Sequence, residues 1–400
     1  MKKNKRVVVG MSGGVDSSVA AYILQEQGYD VVGLFMRNWN DASVTLEDEC
    51  PWIDDSRDAM MVAEQLGIPF QVIDFSGPYK KRIVDYMFSE YEAGRTPNPD
   101  VLCNREIKFD LFLKEALKLG ADYVATGHYV RKGIVENEFG ESEFQLLRGL
   151  DSNKDQSYFL CQLNSSQLEK ALFPVGELQK SEVREIAAKL NLINADKKDS
   201  QGLCFIGKVS LPDFLQQQLL PKTGKVIEIN RNHPAVESYL KLISNGDNAD
   251  IATKRLELSP EMGQVIGEHK GAHFYTRGQR RGLNIGGKVL PLFVLQTSVS
   301  DNIIYVGQGE DHGGLFYKGL KIEKNDVHWV RPNLRITSLQ RQDFVCQIRY
   351  RQTPFSCKIM ENIEGDIIVV FRDVQRNVTP GQFLALYDGD ELILSGIISV

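Results

Sequence analysis

The pattern of apolar and polar positions changes character twice along this chain. Up to about residue 126, short β-branched runs alternate with stretches whose apolar positions recur every three or four residues. The runs at 6–10, 30–36, 70–75 and 123–126 predict strands, and those at 17–27, 55–66, 79–91 and 106–119 predict helices. Gly28, Gly67 and Gly120 stand where three of these helices should stop. Alternating strands and helices predict a parallel sheet covered on both faces, with ligands beyond the C-terminal strand ends. From 157 to about 220 the period is mostly helical, interrupted by a loop at 194–207. Past Pro221, short β runs punctuated by glycine take over, at 224–229, 273–276, 289–297, 303–307, 344–349, 366–371 and 392–400. The expected architecture is α/β: a parallel-sheet domain with a helical extension over 1–220, a small central β domain over 221–290, and a C-terminal β-barrel over 291–400. A polar, mixed-charge insertion near 230–262 fits neither pattern and reads as a partly helical excursion or a mobile loop.

Composition narrows this picture. The 400 residues are 42% hydrophobic and 25% charged, the balance of a soluble globular protein. No apolar run reaches the ~18 residues of a membrane span. The basic start, residues 1–6, passes straight into the first strand without a signal-peptide core. The expectation is a cytoplasmic protein with no membrane partner. A net charge of −6 argues against a general nucleic-acid footprint. Charge can still be local. Residues 270–281 carry Lys270, Arg277, Arg280 and Arg281 with two aromatics and no acid, and Arg349, Tyr350 and Arg351 form a second basic cluster. Each is either a solvated face or a small basic patch on an acidic protein. The six cysteines form no C-x-x-C pair, so reduced thiols are expected and zinc is not.

Candidate chemistry begins at Gly10, Met11, Ser12, Gly13, Gly14, Val15, Asp16 and Ser17, where the first strand empties into a glycine turn and a helix. Such a turn aims backbone N–H groups and a helix N-terminus at an anion. Gly13 and Gly14 are both able to take positive φ. No lysine follows the glycines, which sets the loop apart from GxxxxGK[ST]. The S-G-G-V-D-S string resembles instead the pyrophosphate-binding loop of the ATP pyrophosphatase enzymes. Met36 and Gly127 lie at strand ends facing the same cleft. His128 follows, as a nucleotide contact or as a hydrogen-bonded structural histidine.

Further on, Asn98, Pro99 and Asp100 precede Cys103. A thiol just ahead of a helix starting near Asn104 or Arg105 gains thiolate character, and Asp100 is near enough in sequence to act as acid or base. A small buried hydrophobe is the plain alternative for Cys103. Cys204 sits between Gly202 and Gly207, in a loop suited both to ligand approach and to burial. His269 and His273 are separated by Gly271, which argues against a helical metal pair, and no metal-binding set is expected.

Taken in order, SGGVDS, NPDVLCNREIKF, ATGHYVR, GLDSNKDQSYFL, FPVGELQKSEVREIA, SQGLCFIG, GEHKGAHFYTRGQRRGL and RYRQ resemble the tRNA-specific 2-thiouridylase family, over almost the whole chain. The resemblance implies an adenine nucleotide alpha-hydrolase-like first domain. It implies that the C2 oxygen of the tRNA wobble uridine is adenylated with release of pyrophosphate, then replaced by sulfur with release of AMP. ATP would lie at residues 10–17, with Met36 and Gly127 on the adenosine side and Mg²⁺ accompanying it. Cys204 would carry a persulfide received from a sulfur-relay donor protein. Cys103 would be the nucleophile that resolves it through a transient Cys103–Cys204 disulfide, and Asp100 the general acid/base. Contacts to tRNA are implied at Asn98, Pro99 and Asp100, at Lys154, Asp155 and Gln156, and at Arg349 and Tyr350. The chemistry is coherent: a C2 oxygen leaves poorly unless adenylated, a persulfide is a better nucleophile than water, and a second thiol is needed to release the sulfur.

Three departures from the family pattern stand out: the long insertion, Leu203 in place of isoleucine, and Arg277 in place of an apolar residue. The alternative is a ligase or amidotransferase that uses the same glycine loop on a small molecule. It leaves both cysteine loops idle.

Overall fold

The structure is a computed structural model that describes residues 4–39, 51–137, 139–198, 211–216, 218–334 and 343–399. Four strands open it: β1 (Arg6–Gly10), β2 (Asp30–Arg37), β3 (Phe70–Asp74) and β4 (Tyr123–Ala125). A hairpin of β5 (Val130–Glu136) and β6 (Ser142–Arg148) then leaves this sheet, and the chain returns with β7 (Ala171–Leu172). The sheet is parallel throughout, in the order β3-β2-β1-β4-β7. Val7, Val8 and Val9 are fully buried, as a strand covered on both faces requires. Alternation divides them. Val7 and Val9 pack with the helices α1 (Val15–Glu26), α2 (Pro51–Leu66) and Lys180–Lys189, while Val8 packs with Tyr79, Ile83, Ile107 and Phe112 on the other face. β7 lies in a stretch whose period reads helical. Two residues are too few to show alternation, and only pairing to Val124 and Ala125 makes them a strand.

The chain runs outward from β1 to β2 and β3, then crosses back to place β4 on the far side of β1. Connections diverge at that point, which opens a crevice at the C-terminal ends of β1 and β4.

The middle sheet has the order β10-β11-β8-β9, from β8 (Gly224–Ile229), β9 (Gly263–His269), β10 (Leu292–Ser298) and β11 (Ile303–Gln308). β10 and β11, expected at the start of the barrel, belong here. β11 runs parallel to β8 with Ile304 opposite Val226, and Val226, Val294, Ile304 and Val306 close one apolar core. The insertion between β8 and β9 is helical, over Pro234–Asn245 and Ala249–Ala252. It docks outward on the barrel: Tyr239 donates to the Phe316 carbonyl at 2.9 Å, and Ala252 packs with Ile368 and Val370.

The barrel comprises β12 (Phe316–Ile322), β13 (His328–Trp329), β14 (Phe344–Gln347), β15 (Phe355–Glu361), β16 (Ile367–Arg376), β17 (Phe383–Asp388) and β18 (Glu391–Ser399). Its wall runs β12-β16-β15-β14-β17-β18, and β18 pairs back onto β12, which removes the open edges. The β5–β6 hairpin extends from the first domain onto this barrel, Leu146 opposite Leu392. Buried polar contacts hold the same seam. Tyr158 donates to the Phe383 carbonyl at 3.0 Å, and Gln162 Nε2 donates to Ser395 Oγ at 2.8 Å. Among the described residues no helix is long and apolar enough to cross a membrane.

Candidate active site

The Met11 N–H donates to the Leu34 carbonyl at 3.0 Å, so the chain leaves the sheet only at Ser12. Gly13 takes φ +73°, and a Cβ there would lie 2.3 Å from the Asp55 carbonyl oxygen of α2. Glycine is required. Gly14, though able to take positive φ, has φ −90° and is the N-cap of α1, with no side chain capping the helix. The first-turn N–H groups of α1 are thereby left for a ligand. Ser17 Oγ ties the turn together, accepting from Ser12 N–H at 3.1 Å and donating to the Gly14 carbonyl at 3.0 Å. Gly127 closes the β4 side: a Cβ would come 2.6 Å from Asp16 C and Ser17 N. Met36 is buried, its methyl 3.5 Å from where a Gly10 Cβ would stand.

Asp16 receives three hydrogen bonds, from Tyr129 Oη at 2.6 Å and from Lys180 Nζ at 2.6 and 2.8 Å. Lys180 was legible in the sequence only as the start of a helix. A usable signal exists, because a lysine in a helix's first turn opposes the macrodipole and calls for another reason to be there. Asn194, 2% exposed, donates to the Gly13 carbonyl at 3.0 Å and to Ser18 Oγ at 2.9 Å. Lys197 bonds Asp55 at 2.7 Å and Asp58 at 2.5 Å on α2. At the end of β2, both amide atoms of Asn38 and the indole nitrogen of Trp39 are buried and find no hydrogen-bond partner among the described residues. Buried polar atoms seek partners, and at strand ends beside a glycine turn these are placed where a ligand is able to supply them. The residues present therefore fit a nucleotide. His128 Nδ1 lies 2.7 Å from Thr126 Oγ1. Burial, reinforced by Lys108, pushes its pKa well below the ordinary value, so the ring is neutral.

The second half of the site starts from Asn98, whose Oδ1 accepts from the Val101 N–H at 3.2 Å. That cap, with Pro99 in the first turn, starts a helix at Pro99–Cys103 that continues through Asn104–Leu111. Cys103 is therefore inside the helix, not ahead of one beginning at Asn104 or Arg105. It is 1% exposed. Arg105 turns to Glu106 at 2.9 Å and to Gln162 at 2.8 Å. The loop before the helix is gripped from two sides. Gln382 Nε2 on β17's approach donates to the Thr96 and Pro97 carbonyls at 2.9 and 3.0 Å, and Asn98 Nδ2 donates to Gln382 Oε1 at 3.3 Å. Thr96 Oγ1 meets Thr276 Oγ1 of the middle domain at 3.0 Å.

Asn104 Nδ2 donates to the Asp100 carbonyl at 3.0 Å and the Phe159 carbonyl at 3.1 Å, and the Phe159 ring lies 4.2 Å from that of Tyr350. Arg349, lowered in pKa by burial, donates to the Asn377 carbonyl at 2.7 Å. Asn98, Pro99, Asp100, Arg349 and Tyr350 are thus linked in one neighbourhood. Asp155 and Gln156 have inward partners. Asp155 accepts from the Gly149 and Ser157 N–H groups at 3.1 and 3.0 Å, and burial raises its pKa. Gln156 accepts from the Tyr129 N–H at 2.9 Å, which braces the residue that contacts Asp16. Lys154 is half-buried in the same turn. Cys204 lies outside the described residues, and so does its pairing with Cys103. Burial pushes the Cys161 thiol up to about 12 and Cys346 well above its ordinary value, which keeps both protonated. Among the described residues no group of three His, Cys, Asp or Glu side chains is placed to hold a metal.

Comparison with known proteins adds the rest. Residues 5–208 match the profile described as tRNA methyl transferase HUP domain, 246–308 its PRC-barrel domain, and 320–398 the aminomethyltransferase beta-barrel domain. The chain is 58% identical to the tRNA-specific 2-thiouridylase MnmA of Christiangramia forsetii, over 99% of this chain and 100% of that one. It is 57% identical to that of Flavobacterium johnsoniae over 99% and 100%, and 43% identical to that of Bacillus subtilis over 99% and 95%.

Proposed function

The chain belongs to the tRNA-specific 2-thiouridylase family, and on that premise we propose how its residues divide the work. It is a tRNA sulfurtransferase that replaces the C2 oxygen of a uridine with sulfur. The proposal concerns the wobble uridine and the assignment of roles. Residues 10–17 hold ATP, with Met36 and Gly127 on the adenosine side. Bound ATP supplies the adenylyl group that makes the C2 oxygen a leaving group, and Mg²⁺ comes with its phosphates. Lys180 and Lys197 supply positive charge at the rim, and Asp16 holds Lys180 in place meanwhile. Asn98, Pro99 and Asp100 meet the target base, Asp100 as acid/base, while Lys154, Asp155, Gln156, Arg349 and Tyr350 serve the rest of the tRNA.

Sulfur delivery uses two thiols. The outer sulfur of a Cys204 persulfide, loaded by a donor protein, bonds to C2 as AMP leaves. The Cys103 thiolate then attacks Cys204 Sγ. The sulfur–sulfur bond breaks, sulfur stays on C2, and a Cys103–Cys204 disulfide forms. A dithiol reductant returns both thiols by supplying two electrons.

The observation that carries this division is the anchoring of the described residues on either side of Cys204. Before it, Asn194 is bonded to Gly13 and Lys197 to α2; after it, Phe214 packs its ring 5.9 Å from that of Trp39 at the end of β2. The chain enters and leaves that segment at the rim of the glycine-loop crevice. The test combines the protein, ATP, a persulfide donor and unmodified tRNA, and reads 2-thiouridine by nucleoside mass spectrometry. ATP-dependent product is expected. Its absence, or full activity in Cys204→Ser, overturns the reading.

A further inference from the structure

A cavity of about 180 Å³ lies where the insertion, the middle sheet and the barrel meet, and Tyr239, Arg255, Glu257, Arg277 and Tyr317 line it. Two guanidinium groups share one ring there. Arg255 and Arg277 stand 5.3 and 5.8 Å from the centre of Tyr317, and Arg277 Nη1 donates to Tyr317 Oη at 3.0 Å. Arg255 is fixed by backbone: Nη1 donates to the Ala252 and Lys254 carbonyls at 3.0 and 2.8 Å, and Nη2 to that of Gly319 at 3.4 Å. Its Nε is buried and has no hydrogen-bond partner among the described residues. Neither arginine forms an ion pair among the described residues. Glu257, the acid among the lining residues, is exposed at the rim. Burial lowers the pKa of Arg255, and the like charge of Arg277 adds to the shift. Two cations held together in a half-buried cavity, with Glu257 exposed at the rim and in no ion pair with either among the described residues, are an expensive arrangement that a phosphate relieves, because guanidinium forks match its oxygens.

The cavity adjoins the substrate path. Thr276, next to Arg277, meets Thr96 on the loop that leads to Asp100 and Cys103. Gly278, just beyond, is packed against Asn377, whose carbonyl holds Arg349. We propose that Arg255 and Arg277 form a subsite for a backbone phosphate of the bound tRNA, built by the helical insertion, an inference that rests on the reading of the chain as a tRNA sulfurtransferase. Arg255 lies in the insertion, and Arg277 in the basic stretch 270–281.

The experiment titrates unmodified tRNA against the full-length protein, Arg277→Leu and Arg277→Lys across a salt series. Arg277→Leu is expected to weaken binding and to reduce the slope of log K against log salt by about one, while Arg277→Lys keeps the slope. Unchanged affinity and slope in Arg277→Leu, in a protein that still makes 2-thiouridine, overturns the subsite alone. Inorganic phosphate is the second probe. A phosphate-induced rise in Tm that Arg277→Leu abolishes, with the tRNA slope unchanged, assigns the cavity to a free anion and overturns the RNA source. If the unsubstituted protein neither binds tRNA nor makes 2-thiouridine, the subsite falls together with the functional reading.

Discussion

Two loop-to-helix turns serve this site, and they are built oppositely. At Gly14 the helix N-terminus has no side-chain cap, while at Asn98 the side chain closes its own helix by accepting from Val101 N–H. A capped terminus has less to offer a ligand, and an uncapped one has N–H groups to spend on an anion. In the proposed division of work the first turn is the receptor, and its rigidity comes from Ser17 and Asn194 behind it. The second is a mount. It presents Asp100 and Cys103 from a loop gripped by Gln382 and Thr276, residues far away in the chain. One turn leaves its N–H groups open to a ligand; the other is fixed by the bonds that Asn98 and Gln382 make.

The largest expected effect removes the chemistry that separates the two. Cys103→Ser and Cys204→Ser should each abolish 2-thiouridine formation while ATP binding, followed by calorimetry, persists. Loss of ATP binding in Cys103→Ser would show that the mount also builds the receptor. Next, Lys180→Met removes the cation on Asp16, and ATP-dependent pyrophosphate release should fall about tenfold to a hundredfold, the range for a charge-assisted hydrogen bond.

Converting one turn into the other is a sharper probe. Gly14→Ser is sterically admitted, since among the described residues a Cβ there meets only Ser12 Oγ at 3.4 Å. It should raise stability by a few tenths of a kcal/mol and weaken ATP binding, because the new hydroxyl competes for the same N–H groups. Conversely, Asn98→Ala should cost about 1 kcal/mol in denaturant unfolding and lower kcat while leaving ATP affinity unchanged.

The smallest effect is a pH step. Desolvation is the leading cause that lowers His128, His269, His273, His312 and His328 in the folded protein. The unfolded chain takes up protons near the ordinary value of 6.5 while the folded one resists. Stability should therefore fall as pH drops through 6.5 toward the folded values, read as a lower denaturant midpoint at pH 6 than at pH 7.5. A flat profile would show that these rings protonate as readily in the fold.

Much of the receptor was legible in the sequence. The β-branched run, the glycine pair and the hydroxyls are neighbours in the chain, and a strand–turn–helix is decided by neighbours. Parallel layering followed equally from period alone. The mount was misread by a few residues: Cys103 reads as preceding a helix until Asn98 and Pro99 are recognised as its start. The places of β10 and β11, the departure of the β5–β6 hairpin to the barrel and the two-residue β7 were not legible, because pairing partners are chosen across the fold.

By itself the sequence determined the switch from α/β to β architecture, the strand–glycine turn–helix that opens the chain and the motifs that carry the family likeness, since local propensity and motif spacing carry each of them. Tertiary structure alone decided that Lys180 meets Asp16, that Gln382 holds Asn98, and that Arg255 and Arg277 share Tyr317. The physical reason is separation along the chain. A contact between residues many tens of positions apart depends on how whole layers stack, and no local pattern encodes it.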